Sequence, residues 1–108
     1  MANTFKLKTK ASVGVTTTGL YVVPNSTTTV VIGITASNIS GNNINVGIGI
    51  TRASADDIHL MKNVPIPQGS SFEFMAGNKI VLETTDTITA KSDVANSLDV
   101  ALTIMEIT

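Results

Sequence analysis

The sequence predicts an all-β protein: a single-domain antiparallel β-sandwich of about eight strands, Ig-like or jelly-roll, with an extended N-terminal arm. Three observations point there. Apolar residues recur at every second position along three stretches: Thr28, Val30, Ile32, Ile34 and Ala36; Ile44, Val46, Ile48 and Ile50; Leu98, Val100, Leu102 and Ile104. Side chains two apart share one face of a strand, so each stretch buries one face. The stretches are punctuated by Gly, Pro, Asn, Asp and Ser, residues that preset or tolerate turn dihedrals. A length of 108 residues at 43% hydrophobic content is enough for one core.

Phe5, Leu7 and Thr9 alternate with Lys6, Lys8 and Lys10, a pattern that suits an edge strand or an extended arm whose lysines face water. Ala11 to Thr18 is small and polar and reads as a connector, so residues 1–18 are taken as arm and connector and 19–108 as the sandwich domain. Leu20 to Val23 is a short strand stopped by the turn Pro24-Asn25-Ser26. Thr27 to Asn38 is rich in β-branched residues whose stiff χ1 fits a pleated surface. Ser40 to Asn43 makes the next turn, which predicts that Thr27–Asn38 and Asn43–Arg52 pair as a hairpin. Alternation lapses from Ala53 to Asp57, a loop or single helical turn, and resumes at Ile58, Leu60 and Lys62. The two prolines of Asn63-Val64-Pro65-Ile66-Pro67 lack amide protons, which places that segment at a sheet edge or a crossing between sheets. Gln68-Gly69-Ser70 turns the chain into Phe72-Glu73-Phe74, with both rings on one face. Gly77-Asn78 punctuates before Lys79 to Glu83, Thr85-Asp86 turns into Ile88 to Lys91, and Ser92 to Ser97 loops into the last strand.

Charged residues make up only 14% of the chain, against about 25% in ordinary soluble domains. Thr, Ser and Asn cover the surface instead, which suits a protein that lives against copies or partners. The charge is also segregated: residues 1–55 carry +4 and residues 56–108 carry −5. This split fits a basic leader lying on an acidic neighbour, and equally a set of solvated strand faces. Three lysines without interleaved aromatics or Arg make a poor phosphate footprint, so nucleic acid is not an expected partner. The N-terminus lacks the apolar stretch of a secretory signal, and no apolar run approaches the ~20 residues of a helical membrane span. The Asn-x-Ser/Thr triplets at Asn25 and Asn38 therefore read as turns rather than glycan acceptors.

Residues capable of chemistry are few. Cysteine is absent, which removes thiolate nucleophiles, disulfides and Cys-based metal sites. His59 is the sole histidine and cannot build a two-His metal site, and no Gly-x-Ser-x-Gly elbow presents a serine. A catalytic reading would require polar residues converging in a pocket around His59. Asp56 and Asp57, with Asp86 or Asp93, offer loop carboxylates to an ion such as Ca²⁺, but the spacing matches no EF-hand and reads as solvated turns. Gly47 and Gly49 fall opposite Val46, Ile48 and Ile50, where missing side chains let a neighbouring chain or sheet approach. No catalytic residue, metal ligand or cofactor is expected.

Three stretches carry a resemblance. Leu20-Tyr21-Val22-Val23-Pro24-Asn25-Ser26-Thr27 runs into Val30 to Ile34; Lys62 to Ser71 precedes Lys79-Ile80-Val81-Leu82-Glu83; and the chain ends Leu98 to Ile107. Their order, over about residues 20 to 107, resembles small β-sandwich virion structural proteins of tailed bacteriophages. Where those proteins often place a Gly-Asp step after the Leu-Glu, this chain has Thr85-Asp86. The resemblance implies a capsid decoration (cement) protein, or a neck or tail accessory component, made in the host bacterial cytoplasm and residing in the virion. Its implied partners are its own copies, as a homotrimer or other symmetric oligomer, and the major capsid protein or neck and tail proteins. The expected contact residues are Phe5, Lys6, Leu7, Lys8 and Lys10 of the leader and Pro65, Ile66, Pro67 and Gln68. A receptor- or glycan-binding β-sandwich module is the competing expectation, and it would need exposed aromatics or a Ca²⁺ cluster.

Overall fold

Alternating β-branched and polar residues fold into two antiparallel sheets packed face to face. The structure, a computed structural model, describes residues 2–52, 55–74 and 79–108, with Phe74 described in its backbone. The strands are β1 (Asn3–Val13), β2 (Thr18–Val22), β3 (Thr28–Asn38), β4 (Ile44–Thr51), β5 (Ile58–Ile66), β6 (Ser71–Phe74), β7 (Ile80–Leu82), β8 (Thr87–Ser92) and β9 (Leu98–Ile107). One sheet runs β1-β9-β3-β6, with β7 also paired to β3, and the other runs β2-β8-β4-β5. The molecule is an all-β sandwich, elongated at 45 × 25 × 21 Å. The turn expected at Gly77-Asn78, the ring of Phe74, and Ala53 and Ser54 lie outside the described residues.

Two of the stripes read from the sequence line the core as expected. Ile44, Val46, Ile48 and Ile50 are buried along β4, and Leu98, Val100, Leu102 and Ile104 along β9. The β3 stripe changes phase. Thr29 and Val31 are buried before Ile32, and Ile34, Ala36 and Asn38 after it. A register irregularity between Val31 and Gly33 against β9 inserts the extra residue and moves the buried side from odd to even positions.

The expected hairpin of Thr27–Asn38 with Asn43–Arg52 does not form. β3 pairs with β6, β7 and β9, whereas β4 pairs with β5 and β8, so the Ser40–Asn43 turn carries the chain from one sheet to the other. Asn38 makes that crossing stable. It is buried, its Nδ2 donates to the carbonyls of Asn42 and Ile66, and its Oδ1 accepts from the amide and hydroxyl of Ser40.

Of the two readings of residues 5–10, the edge strand is what forms. β1 is paired with β9 from Asn3↔Ile107 to Val13↔Leu98, and Ala2 and Thr108 exchange backbone hydrogen bonds at 3.1 and 3.0 Å. The leader is thus stitched into the sheet, and Thr18 opens β2. Pro65 lies in the edge strand β5 and Pro67 just beyond its end, as their missing donors require. The turn into β8 holds Thr85 at φ 72°, the left-handed region that favours glycine.

Candidate contact face

Residues paired across antiparallel strands point to the same side of the sheet. In β1 the partners of Lys6, Lys8 and Lys10 are Ile104, Leu102 and Val100, all core residues. The lysines therefore lie on the inner side, and Phe5, Leu7 and Thr9 point outward. This reverses the expected orientation. At the rim of a sandwich an inward long-chain lysine reaches past the core edge, lays its stem on apolar atoms and keeps its ammonium near water.

A carboxylate waits for the first of these lysines. Glu106 continues the inward period of β9, is 6% exposed, and holds Lys6 Nζ at 2.8 Å. Its second oxygen accepts from the Tyr21 hydroxyl at 2.5 Å, and Tyr21 is 2.8 Å from Thr29 Oγ1. With the phenol proton committed to Glu106, the Thr29 hydroxyl donates to the phenol oxygen. The Lys8 ammonium stands over the Tyr21 ring, 5.9 Å from its centre. Lys6 and the Tyr21 hydroxyl hold the Glu106 carboxyl below its ordinary value of 4.5. Burial, helped by Glu106, pushes the Tyr21 hydroxyl up to about 12. This cluster ties β1, β3 and β9 of one sheet to β2 of the other and fixes the facing of β1.

With β1 fixed, an apolar row forms on the outside of the five-stranded sheet. Register runs Phe5↔Met105↔Val30↔Val81 across four strands. Phe5 is 69% exposed, Leu7 65% and Val81 61%, while Met105 and Val30 are half-buried. Further along the same face the side chains become small. Thr9, Ala11, Thr35, Ser37 and Ala101 line a shallow depression of about 230 Å³, with Lys10 and Asp99 also in its lining and Asp99 Oδ1 accepting from the Ser12 amide. One end of the face is therefore a ridge and the other a hollow.

The remaining expected contacts do not join it. Ile66 is buried in the core, and Pro65, Pro67 and Gln68 are exposed at the β5 edge of the other sheet. The Gln68 amide donates to Asn43 Oδ1. Ile66 is unavailable because it continues the inward face of β5 against Ile44.

Three of the four loop aspartates are committed within the chain. Asp57 accepts from the Arg52 amide, Asp93 from Asn45, and Asp86 from Arg52 Nε at 3.1 Å and the Glu83 amide at 2.9 Å. Asp56 is exposed. Among the described residues no three His, Cys, Asp or Glu side chains converge to hold a metal. His59 is exposed on the outer face of the four-stranded sheet and does line a shallow trough with polar neighbours. No hydroxyl is hydrogen-bonded to it among the described residues, so the trough holds no paired nucleophile and base there.

Sequence reasoning passed over Glu106 and Tyr21. The signal was present: extending the stripe from Leu98 by twos reaches Glu106, and a carboxylate on a buried face demands partners. Comparison with protein-family models, with curated proteins and with solved structures gave no match.

Proposed function

We propose that the protein is a structural component of a tailed-bacteriophage particle, a capsid decoration protein that attaches to the shell and to its own copies through the outer face of the five-stranded sheet. The observation that carries the contact reading is the exposed row Phe5–Met105–Val30–Val81 with Leu7 beside it, an apolar strip on a chain poor in charge. Such strips mark interaction surfaces. Ridge and hollow lie end to end, which supports a pairing of two copies in which Phe5 and Leu7 of one meet the small residues of the other and Lys10 and Asp99 stay at the margin. A two-fold axis between two copies, perpendicular to the strands, sets the ridge of each over the hollow of the other. The virion assignment rests on the ordered resemblance of residues 20 to 107. Burial of Phe5 and Leu7 supplies the attraction, and the polar Thr and Ser around them supply a rim of hydrogen bonds.

The test is attachment to purified particles. The Phe5→Ser/Leu7→Ser variant is expected to stay folded and to lose occupancy on the shell; unchanged occupancy contradicts the proposal. Copy number by mass spectrometry separates shell from neck or tail: hundreds of copies belong to the shell, and a single ring's worth to the neck or tail.

A further inference from the structure

The opposite face of the molecule carries a different feature. On the outside of the four-stranded sheet, register aligns Gly19↔Thr89↔Gly49↔His59 across β2, β8, β4 and β5, with Gly47↔Lys91 beside it. Glycine at 47 and 49 removes the outward side chains of β4, so that strand becomes the floor of a trough of about 310 Å³. Thr89 and Lys91 of β8 line it, as do His59 and Lys62 of β5 and Thr17. A methyl group built on Gly49 would lie 2.8 Å from the Ile58 carbonyl oxygen, which closes the floor at that point, and 3.4 Å from Thr89 Oγ1 and 3.9 Å from His59 Nδ1, which places those two side chains at the edge of the same glycine.

The geometry points to a binding site for an oxyanion, a phosphate- or carboxylate-bearing small molecule. Two lysines, a histidine and three threonines line a floor from which the outward side chains at positions 47 and 49 are missing. The one carboxylate in the lining, Asp57, already accepts the Arg52 amide. Cations gathered in a concave site focus field lines on an anion, and here they do so on a chain of net charge −1. The volume suits a group of monosaccharide size. The lining has no aromatic ring to stack a neutral sugar or base, and one His and one Asp are a poor set for a metal. The inference is independent of the contact reading of the other sheet.

The probes are inorganic phosphate and glucuronate, titrated into the ¹⁵N-labelled protein while amide resonances are followed. Saturable shifts at Gly47, Gly49, His59 and Thr89 with either probe are expected, and which probe binds more tightly identifies the oxyanion. The Lys62→Gln/Lys91→Gln variant should weaken that binding at least tenfold. Gly47→Ala, whose added methyl meets only the Met61 carbonyl at an ordinary 3.5 Å, fills the floor and should weaken it while the spectrum stays native. Absence of saturable shifts with both probes, or binding unaltered by the double lysine variant, overturns the inference.

Discussion

Glu106 and Tyr21 show how one polar pair fixes the facing of an edge strand. A buried carboxylate is tolerated only when its lone pairs are engaged, here by Lys6 and by the phenol. Replacing Tyr21 by Phe leaves that oxygen unsatisfied and should cost about 1–3 kcal/mol in urea unfolding. The two pKa shifts set opposite pH limits. Because the Tyr21 hydroxyl titrates at about 12 when folded and at 10.0 in its ordinary state, its stabilisation is complete below pH 10.0 and is lost as pH rises towards 12. Because the Glu106 carboxyl is held below 4.5, its stabilisation is complete above that value and is lost as pH falls through the folded pKa. Urea midpoints measured across pH should therefore decline at both ends. Tyr21→Phe should flatten the alkaline limb and Glu106→Gln the acid limb. A second residue-scale test lies at Thr85, a β-branched side chain at φ 72°. Thr85→Gly relieves an αL strain of about 1–2 kcal/mol and adds unfolded-chain entropy, leaving a net gain of about 0.5–1 kcal/mol in the same assay.

At the scale of elements, the strands were legible and their facing was not always. The stripes of β4 and β9 stood out because nothing interrupts their period. The β3 stripe misled because the irregularity between Val31 and Gly33 shifts the phase by one, and Gly33, a glycine inside a strand, was the one signal of it. β1 misled for another reason: Phe5-Lys6-Leu7-Lys8 alternates perfectly, and alternation alone does not say which side meets the core. The inward side went to the lysines because Glu106 and Tyr21 receive them, a long-range pairing between positions 85 residues apart. The β3–β4 crossing was hidden likewise, since an Asn-rich turn serves a hairpin and a sheet crossing equally well. The glycines of β4 were read on the correct face, and the structure adds their consequence. A methyl at Gly49 would stand 2.8 Å from the Ile58 carbonyl of the paired strand. Gly49→Ala should therefore destabilise by about 1–3 kcal/mol, whereas Gly33→Ala, with nothing within 4 Å, should be nearly neutral. Thermal melts of the two variants check this contrast.

The whole molecule places its two outer faces in different roles: one an apolar ridge with a hollow, the other a glycine-floored trough with cationic walls. The core between them is shared, so surface substitutions on either face should leave stability within about 0.5 kcal/mol. Removing residues 1–10 is a different operation. It strips β9 of one of its two partners along most of its length and makes β9 the new sheet edge, so the truncated chain should lose stability and aggregate, as turbidity at raised temperature would show. Point substitutions at Phe5 and Leu7 are the cleaner probe, because they alter the ridge and leave the ladder intact. Sedimentation velocity over a concentration series, on the parent chain and on Phe5→Ser/Leu7→Ser, asks whether that ridge is adhesive. The parent chain is expected to associate reversibly and the variant to remain monomeric with an unchanged melting temperature. A parent chain that stays monomeric at every concentration, or a variant that associates just as strongly, would contradict the account.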